Sequence, residues 1–121
     1  MLNKSQRLKK NKEIEKVLRL GKRFTEEPLV MRVLSNKAKE TRFAFVVSQK
    51  FSKKAVVRNW ARRRMSKVVE ENWSIIKKGV DVIILLGFNR DESITEKLES
   101  LTKKLLQKAG LLPDSFKPKN K

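Results

Sequence analysis

Apolar positions along the chain alternate between helical spacing and short strand-like runs. Ile14, Val17 and Leu18 stand at i, i+3 and i+4 and predict a first helix of about ten residues, with Asn11 placed to cap it and Gly21 to end it in a left-handed conformation. Pro28 to Leu34 and Arg42 to Ser48 are rich in Val, Leu and Phe. Separated by the polar stretch Ser35 to Thr41, they predict a strand pair, with Phe43, Phe45 and Val47 on one buried face. From Lys54 to about Trp73 the pattern is helical again, because Val57, Ala61, Met65 and Val68 form one stripe. Gly79 separates this helix from Val80 to Leu86, a run interrupted only by Asp81 that reads as a strand buried on both faces. Ser93 and Glu96 form an S-x-x-E capping box ahead of Leu98, Leu101, Leu105 and Ala109, with Gly110 placed to stop the helix and Pro113 beyond it.

Helix, two or more strands, helix, strand, helix is the order of an α+β or mixed α/β domain with helices packed on one small sheet. A chain of 121 residues accommodates one compact core, expected over residues 1–112, followed by a disordered basic tail over 113–121 that has almost nothing to bury.

Charge changes this picture from a small fold to a binding protein. Against 13 acidic residues stand 31 Lys and Arg, a formal charge of +18, and that imbalance repels itself unless a polyanion is the usual partner. The longest apolar runs, Val82 to Leu86 and Phe43 to Val47, are far too short to span a bilayer. The basic N-terminus lacks the apolar stretch and cleavage site of a secretory signal, so no membrane association is expected and the cytoplasm is the expected location. The chain has neither Cys nor His, which removes thiolate metal sites, a cysteine nucleophile and the commonest general base. No catalytic residue and no metal ligand is assigned to it.

The charge is concentrated in one place. Between Gln49 and Val69 there is no acidic residue, while Lys50, Lys53, Lys54, Arg58, Arg62, Arg63, Arg64 and Lys67 supply eight positive charges. On a helical wheel Asn59, Arg62, Arg63 and Ser66 lie opposite the apolar stripe, so the helix is expected to seat in the core and present arginine outward. Arginine's planar fork suits phosphate oxygens, and Asn59 adds a donor and an acceptor for a base edge or a 2′-hydroxyl. Lys50, Lys53 and Lys54 lead into the helix N-terminus, where backbone N–H groups also favour an anion.

Ser48-Gln49-Lys50-Phe51-Ser52-Lys53-Lys54-Ala55-Val56-Val57-Arg58-Asn59-Trp60-Ala61-Arg62-Arg63 resembles the signature of the protein subunit of bacterial ribonuclease P, in which a basic loop leads into an Ala-x-x-Arg-Asn-Arg-x-Lys-Arg helix. The resemblance continues through Arg7-Leu8-Lys9-Lys10-Asn11, Val17, Gly21 and the Val80 to Leu86 strand with its terminal helix. Trp60 stands where the family usually has the second Arg, and Arg62 replaces the usual Lys. Tryptophan in that place either stacks on a base or packs beside the sheet. Ile14 and Leu18 stand where family members tend to have Phe.

The resemblance implies a four-stranded mixed sheet in α-β-β-β-α-β-α order, like the second domain of ribosomal protein S5, with the arginine helix in a left-handed crossover between parallel strands. Patterning alone would favour the right-handed crossover. It also implies a ribonucleoprotein that removes the 5′ leader from precursor tRNA, with Mg²⁺ held mainly by the RNA subunit. The protein would bind the catalytic RNA through Lys50, Lys53, Lys54, Arg58, Asn59, Arg62, Arg63, Ser66 and Lys67. The leader would lie in a cleft including Ile14, Leu18, Phe43 and Phe45. Two rivals remain on the sequence: a ribosomal protein or ribosome-assembly factor, and a DNA-binding regulator, which lacks a clear helix-turn-helix pair here.

Overall fold

The computed structural model describes residues 2–37, 40–88 and 93–113. In chain order it contains α1 (Asn11–Leu20), β1 (Lys22–Glu26), β2 (Leu29–Ser35), β3 (Arg42–Val47), α2 (Ala55–Glu71), β4 (Val80–Leu86) and α3 (Ile94–Lys108), with single 3₁₀ turns at Lys4–Gln6 and Trp73–Ile75. This is the expected α-β-β-β-α-β-α succession. The predicted tail lies, from residue 114 on, outside the described residues.

The four strands form one mixed sheet in the order β1-β2-β4-β3. Pairing is antiparallel between β1 and β2 and between β2 and β4, and parallel between β3 and β4, where Phe43 lies beside Val82. The strand pair expected from β2 and β3 is therefore not made. The apolar β4 inserts between them, which buries it on both edges and both faces. Val80, Val82, Ile83, Ile84 and Leu86 are all buried as a result, in agreement with the run of apolar residues.

Helices cover the two faces unequally. On one face α2 and α3 meet the sheet through Ala61, Met65, Val68, Val69, Leu98, Leu105 and Leu106, packed with Leu29, Met31, Phe43, Val82, Ile84 and Leu86. Full burial of side chains this size contributes about 1.5–3 kcal/mol each. On the other face α1 rests on a much smaller cluster of Leu8, Val17 and Ile83, flanked by Ile14, Leu34, Ala44 and Leu85.

Three local expectations are corrected. Asn11 is the first helical residue of α1, not its cap, and Lys10 takes the cap position with no side-chain cap hydrogen bond. Gly21 is extended, with φ −70° and ψ 148°, instead of left-handed. Glycine is required there by crowding: a Cβ would stand 2.5 Å from the Val17 carbonyl oxygen and 3.2 Å from the backbone N and O of Val33. Ser93 does take the cap position of α3, but its hydroxyl makes no capping bond, so the reciprocal box is not formed. Gly110 behaves as expected. Its φ is +77°, and the Leu111 and Gly110 N–H groups donate to the carbonyls of Leu106 and Gln107, a Schellman end that turns Leu111 and Leu112 into the core.

Candidate RNA interface and apolar cleft

The basic loop from Ser48 to Lys54 closes the parallel β3-α2 connection and is shaped by its own serines. Ser48 Oγ accepts from the Lys50 N–H at 3.0 Å, and Ser52 Oγ accepts from the Lys54 N–H at 3.2 Å. These turns leave Lys50, Lys53 and Lys54 exposed. No acidic residue lies in the first turn of α2 and no side chain caps it, so its leading N–H groups and three lysines face the same solvent region. An anion is favoured there by both.

Along α2 the expected outward face divides. Asn59 and Arg63 are exposed as predicted, and Lys67 is exposed with them. Arg58 is half-buried, and its Nη1 donates to the Ser52 carbonyl at 2.9 Å, which ties the helix to the loop. Arg62 hydrogen-bonds to the Asn59 side-chain oxygen. Ser66, predicted to lie outward, is 1% exposed, with its hydroxyl donating to Glu70 Oε2 at 2.9 Å. The wheel assumed one buried stripe, whereas α2 has a second contact along the edge of β3. Trp60 packs against the main core, and the Arg64 guanidinium lies 5.2 Å over its ring while pairing with Glu99 on α3 at 3.0 Å. Of the two roles open to Trp60, the structure shows the packed one.

That second contact makes a cleft of about 320 Å³ lined by Leu2, Arg7, Leu8, Lys9, Ile14, Phe43, Ala44, Phe45, Val46, Arg62 and Ser66. Its floor is apolar, with Phe43 and Phe45 stacked at 5.9 Å between ring centroids and 14° between planes. Arg7, Lys9 and Arg62 supply its cations. An apolar floor with a cationic rim is the arrangement that holds single-stranded nucleic acid, bases inward and phosphates at the edge. Ile14, Phe43 and Phe45 are brought together as expected. Leu18 is not: it points away on α1 and is 39% exposed. Phe43 is itself 1% exposed, so Phe45 offers the more accessible ring.

Two parts of the site were missed by periodicity. The N-terminal segment reaches the cleft because Arg7 bridges in parallel to Phe43, with the Leu8 N–H donating to the Phe43 carbonyl at 2.8 Å. A single bridged residue has no period to detect. The other part is an ion cluster on the α1 face. Arg42 Nε and Nη2 donate to the two carboxylate oxygens of Asp81 at 3.0 and 2.8 Å, and Arg42 Nη1 donates to both oxygens of Glu13 at 3.1 Å. Asn36 Nδ2 adds a bond to Asp81 at 2.7 Å. The Asp81 hydrogen bonds hold the Arg42 guanidinium above its ordinary pKa against the opposing effect of burial, and Glu13 adds to the rise. The lone acid in the β4 run is therefore a satisfied buried charge.

The ribonuclease P family model matches residues 2–110. The ribonuclease P protein component of Synechocystis sp. is 36% identical over 117 residues, spanning 92% of this chain and 90% of that protein. The component from Rippkaea orientalis is 37% identical, spanning 92% and 91%. In backbone path the chain resembles the Staphylococcus aureus ribonuclease P protein, with a TM-score of 0.78 at 22% identity over 90% of this chain and 99% of that one. The Thermotoga maritima ribonuclease P protein gives 0.68 at 24% over 84% and 92%. Matched in sequence and in backbone path over most of its length, the chain belongs to the ribonuclease P protein family.

Proposed function

We propose that this chain is the protein subunit of a ribonuclease P ribonucleoprotein, in which it binds the catalytic RNA and holds the single-stranded 5′ leader of precursor tRNA. The observation that carries this reading is the adjacency of two unlike surfaces on α2. Its exposed side presents Asn59, Arg63 and Lys67 beside the lysine loop, while its Arg62 edge rims the apolar cleft. The first suits the phosphate-rich surface of a folded RNA, the second an unpaired strand. A basic protein placed between two polyanions lowers their repulsion and orients the leader without supplying a general base.

Hydrolysis and its Mg²⁺ belong, on this reading, to the RNA subunit. Among the described residues no group of three or more His, Cys, Asp or Glu is placed to hold a metal ion. Among the same residues no helix is long and apolar enough to cross a membrane. We assign the work to the cytoplasm, alongside tRNA precursors. The ribosomal-protein reading shares the charge and the small fold but accounts for neither the cleft nor the family match.

The test is reconstitution. The purified protein alone is expected to leave precursor tRNA intact, and addition of a bacterial ribonuclease P RNA is expected to give cleavage at Mg²⁺ concentrations where that RNA alone is slow. Robust cleavage by RNA-free protein would overturn the division of labour. Copurification with ribosomal RNA in place of one large catalytic RNA would favour the rival.

A further inference from the structure

We infer that the Glu13–Arg42–Asp81 cluster is a positioning device for the cleft: it ties α1 to β3 and, through Asp81, to β4, so that affinity for the single-stranded leader depends on a carboxylate that does not touch it. The inference rests on the proposed reading of the cleft.

Few other contacts hold α1 to the sheet. Its apolar footing is Val17, fully buried, and Ile14, half-buried, against the small cluster around Leu8 and Ile83. At the far end of the helix Arg32 Nη1 donates to the Gly21 carbonyl at 3.1 Å. Near its start the polar tie to the sheet is Glu13, which accepts two hydrogen bonds from Arg42. Arg42 is in turn locked by its two bonds to Asp81 on the central strand, whose side chain is only 8% exposed. A bidentate guanidinium between two carboxylates allows one orientation, so the pair transmits the position of β4 to α1.

Chain adjacency links this cluster to the cleft. Glu13 precedes Ile14 on α1, and Arg42 precedes Phe43 on β3; Ile14 and Phe43 both line the cleft, whereas Glu13 and Arg42 are absent from its walls. Each end of the ion pair is thus one residue from a cleft wall. Cleft width and the α1 tether are set by the same bonds.

The sign of the effect separates this role from bulk electrostatics. Removing a carboxylate from a protein that binds a polyanion strengthens binding if charge alone matters. Loosening α1 weakens it. The experiment uses the protein assembled with a bacterial ribonuclease P RNA and compares affinity for precursor tRNA with affinity for mature tRNA lacking the leader. Glu13→Ala is expected to lower affinity for the leader-bearing substrate by roughly 3- to 30-fold, leaving mature tRNA unaffected. Glu15→Ala, the same charge change at an exposed position on the same helix, is expected to leave the leader preference intact or raise it. Glu13→Gln keeps an acceptor for Arg42, disturbs the fold less than the alanine variant, and is expected to fall between wild type and Glu13→Ala. Wild-type leader preference in both Glu13 variants, or equal losses at Glu13 and Glu15, would overturn the inference. If the wild-type assembly shows no leader preference at all, the proposed function itself has failed, and that result is visible before any variant is made.

Discussion

The two faces of the sheet carry different kinds of stability. On the α2–α3 face the described residues include nineteen buried apolar side chains in one cluster; on the α1 face they include three, reinforced by a charged cluster. Hydrophobic burial is non-directional and sums with area, so the first face is stable without demanding one exact placement of α1. Hydrogen-bonded ions contribute less net energy yet fix orientation, because a buried charge that loses its partner is costly. The cleft lies where the two regimes meet. One wall belongs to the rigid core; the other is built from the N-terminal segment and Ile14 of α1, a helix that directional bonds from Glu13 also tie to the sheet.

The largest expected effect tests whether α2's outer side is an electrostatic surface at all. If 6–10 phosphates are neutralised there, affinity for the catalytic RNA should fall by about 10³- to 10⁵-fold between 50 and 200 mM salt. Filter binding across that range checks it, and a nearly flat plot would sink the polyanion reading.

Next comes the contrast in packing. Met65, 0% exposed on the large face, should cost about 2–5 kcal/mol when changed to Ala. Denaturant melts of Met65→Ala and of Ile14→Ala on the small face sharpen the comparison. The half-exposed Ile14 should cost clearly less stability while weakening leader binding. Equal losses of stability would mean that α1 is as deeply anchored as α2.

A finer division concerns neighbouring arginines. Arg62 rims the cleft and Arg63 faces outward. Arg62→Ala should therefore weaken leader-bearing substrate, and Arg63→Ala assembly with the RNA subunit, each by at most about 1.5–3 kcal/mol for a lost charge-assisted contact. Arg58 differs from both in being half-buried, with its Nη1 donating to the Ser52 carbonyl and bracing the loop. If both substitutions affect the same binding step equally, α2 has one RNA surface and not two.

The smallest effect is a pH dependence confined to the large face. The Lys108 hydrogen bond at 2.7 Å holds Glu26 below its ordinary carboxylate pKa of 4.5, against an opposing desolvation and with further help from the Lys108 and Lys104 charges. The unfolded chain therefore takes up this proton first as the solution is acidified. The stabilisation is present above about pH 4.5 and is lost as pH falls through the lower folded value. Glu26→Gln should be slightly less stable than wild type at neutral pH, with the difference closing in acid. A gap in melting temperature that stays constant from pH 7 to pH 3 would contradict the assignment.

Much of this was legible in the chain. The stripe Ala61, Met65, Val68, the doubly buried β4 run and the Gly110 stop follow from local periodicity and backbone freedom, which act within a few residues. The acid-free segment likewise announced a polyanion partner, because charge density needs no fold to be counted. What the sequence could not decide is which distant segments meet. Local pattern predicts that β2 and β3 are strands but not that β4 inserts between them, since pairing is settled by burial across the whole sheet. The same non-local packing buries Ser66, turns Leu18 away from the cleft, brings Arg7 beside Phe43 and gives Asp81 its Arg42 partner, 39 residues away along the chain. Periodicity assigns a residue to a face; only the tertiary structure supplies what that face meets.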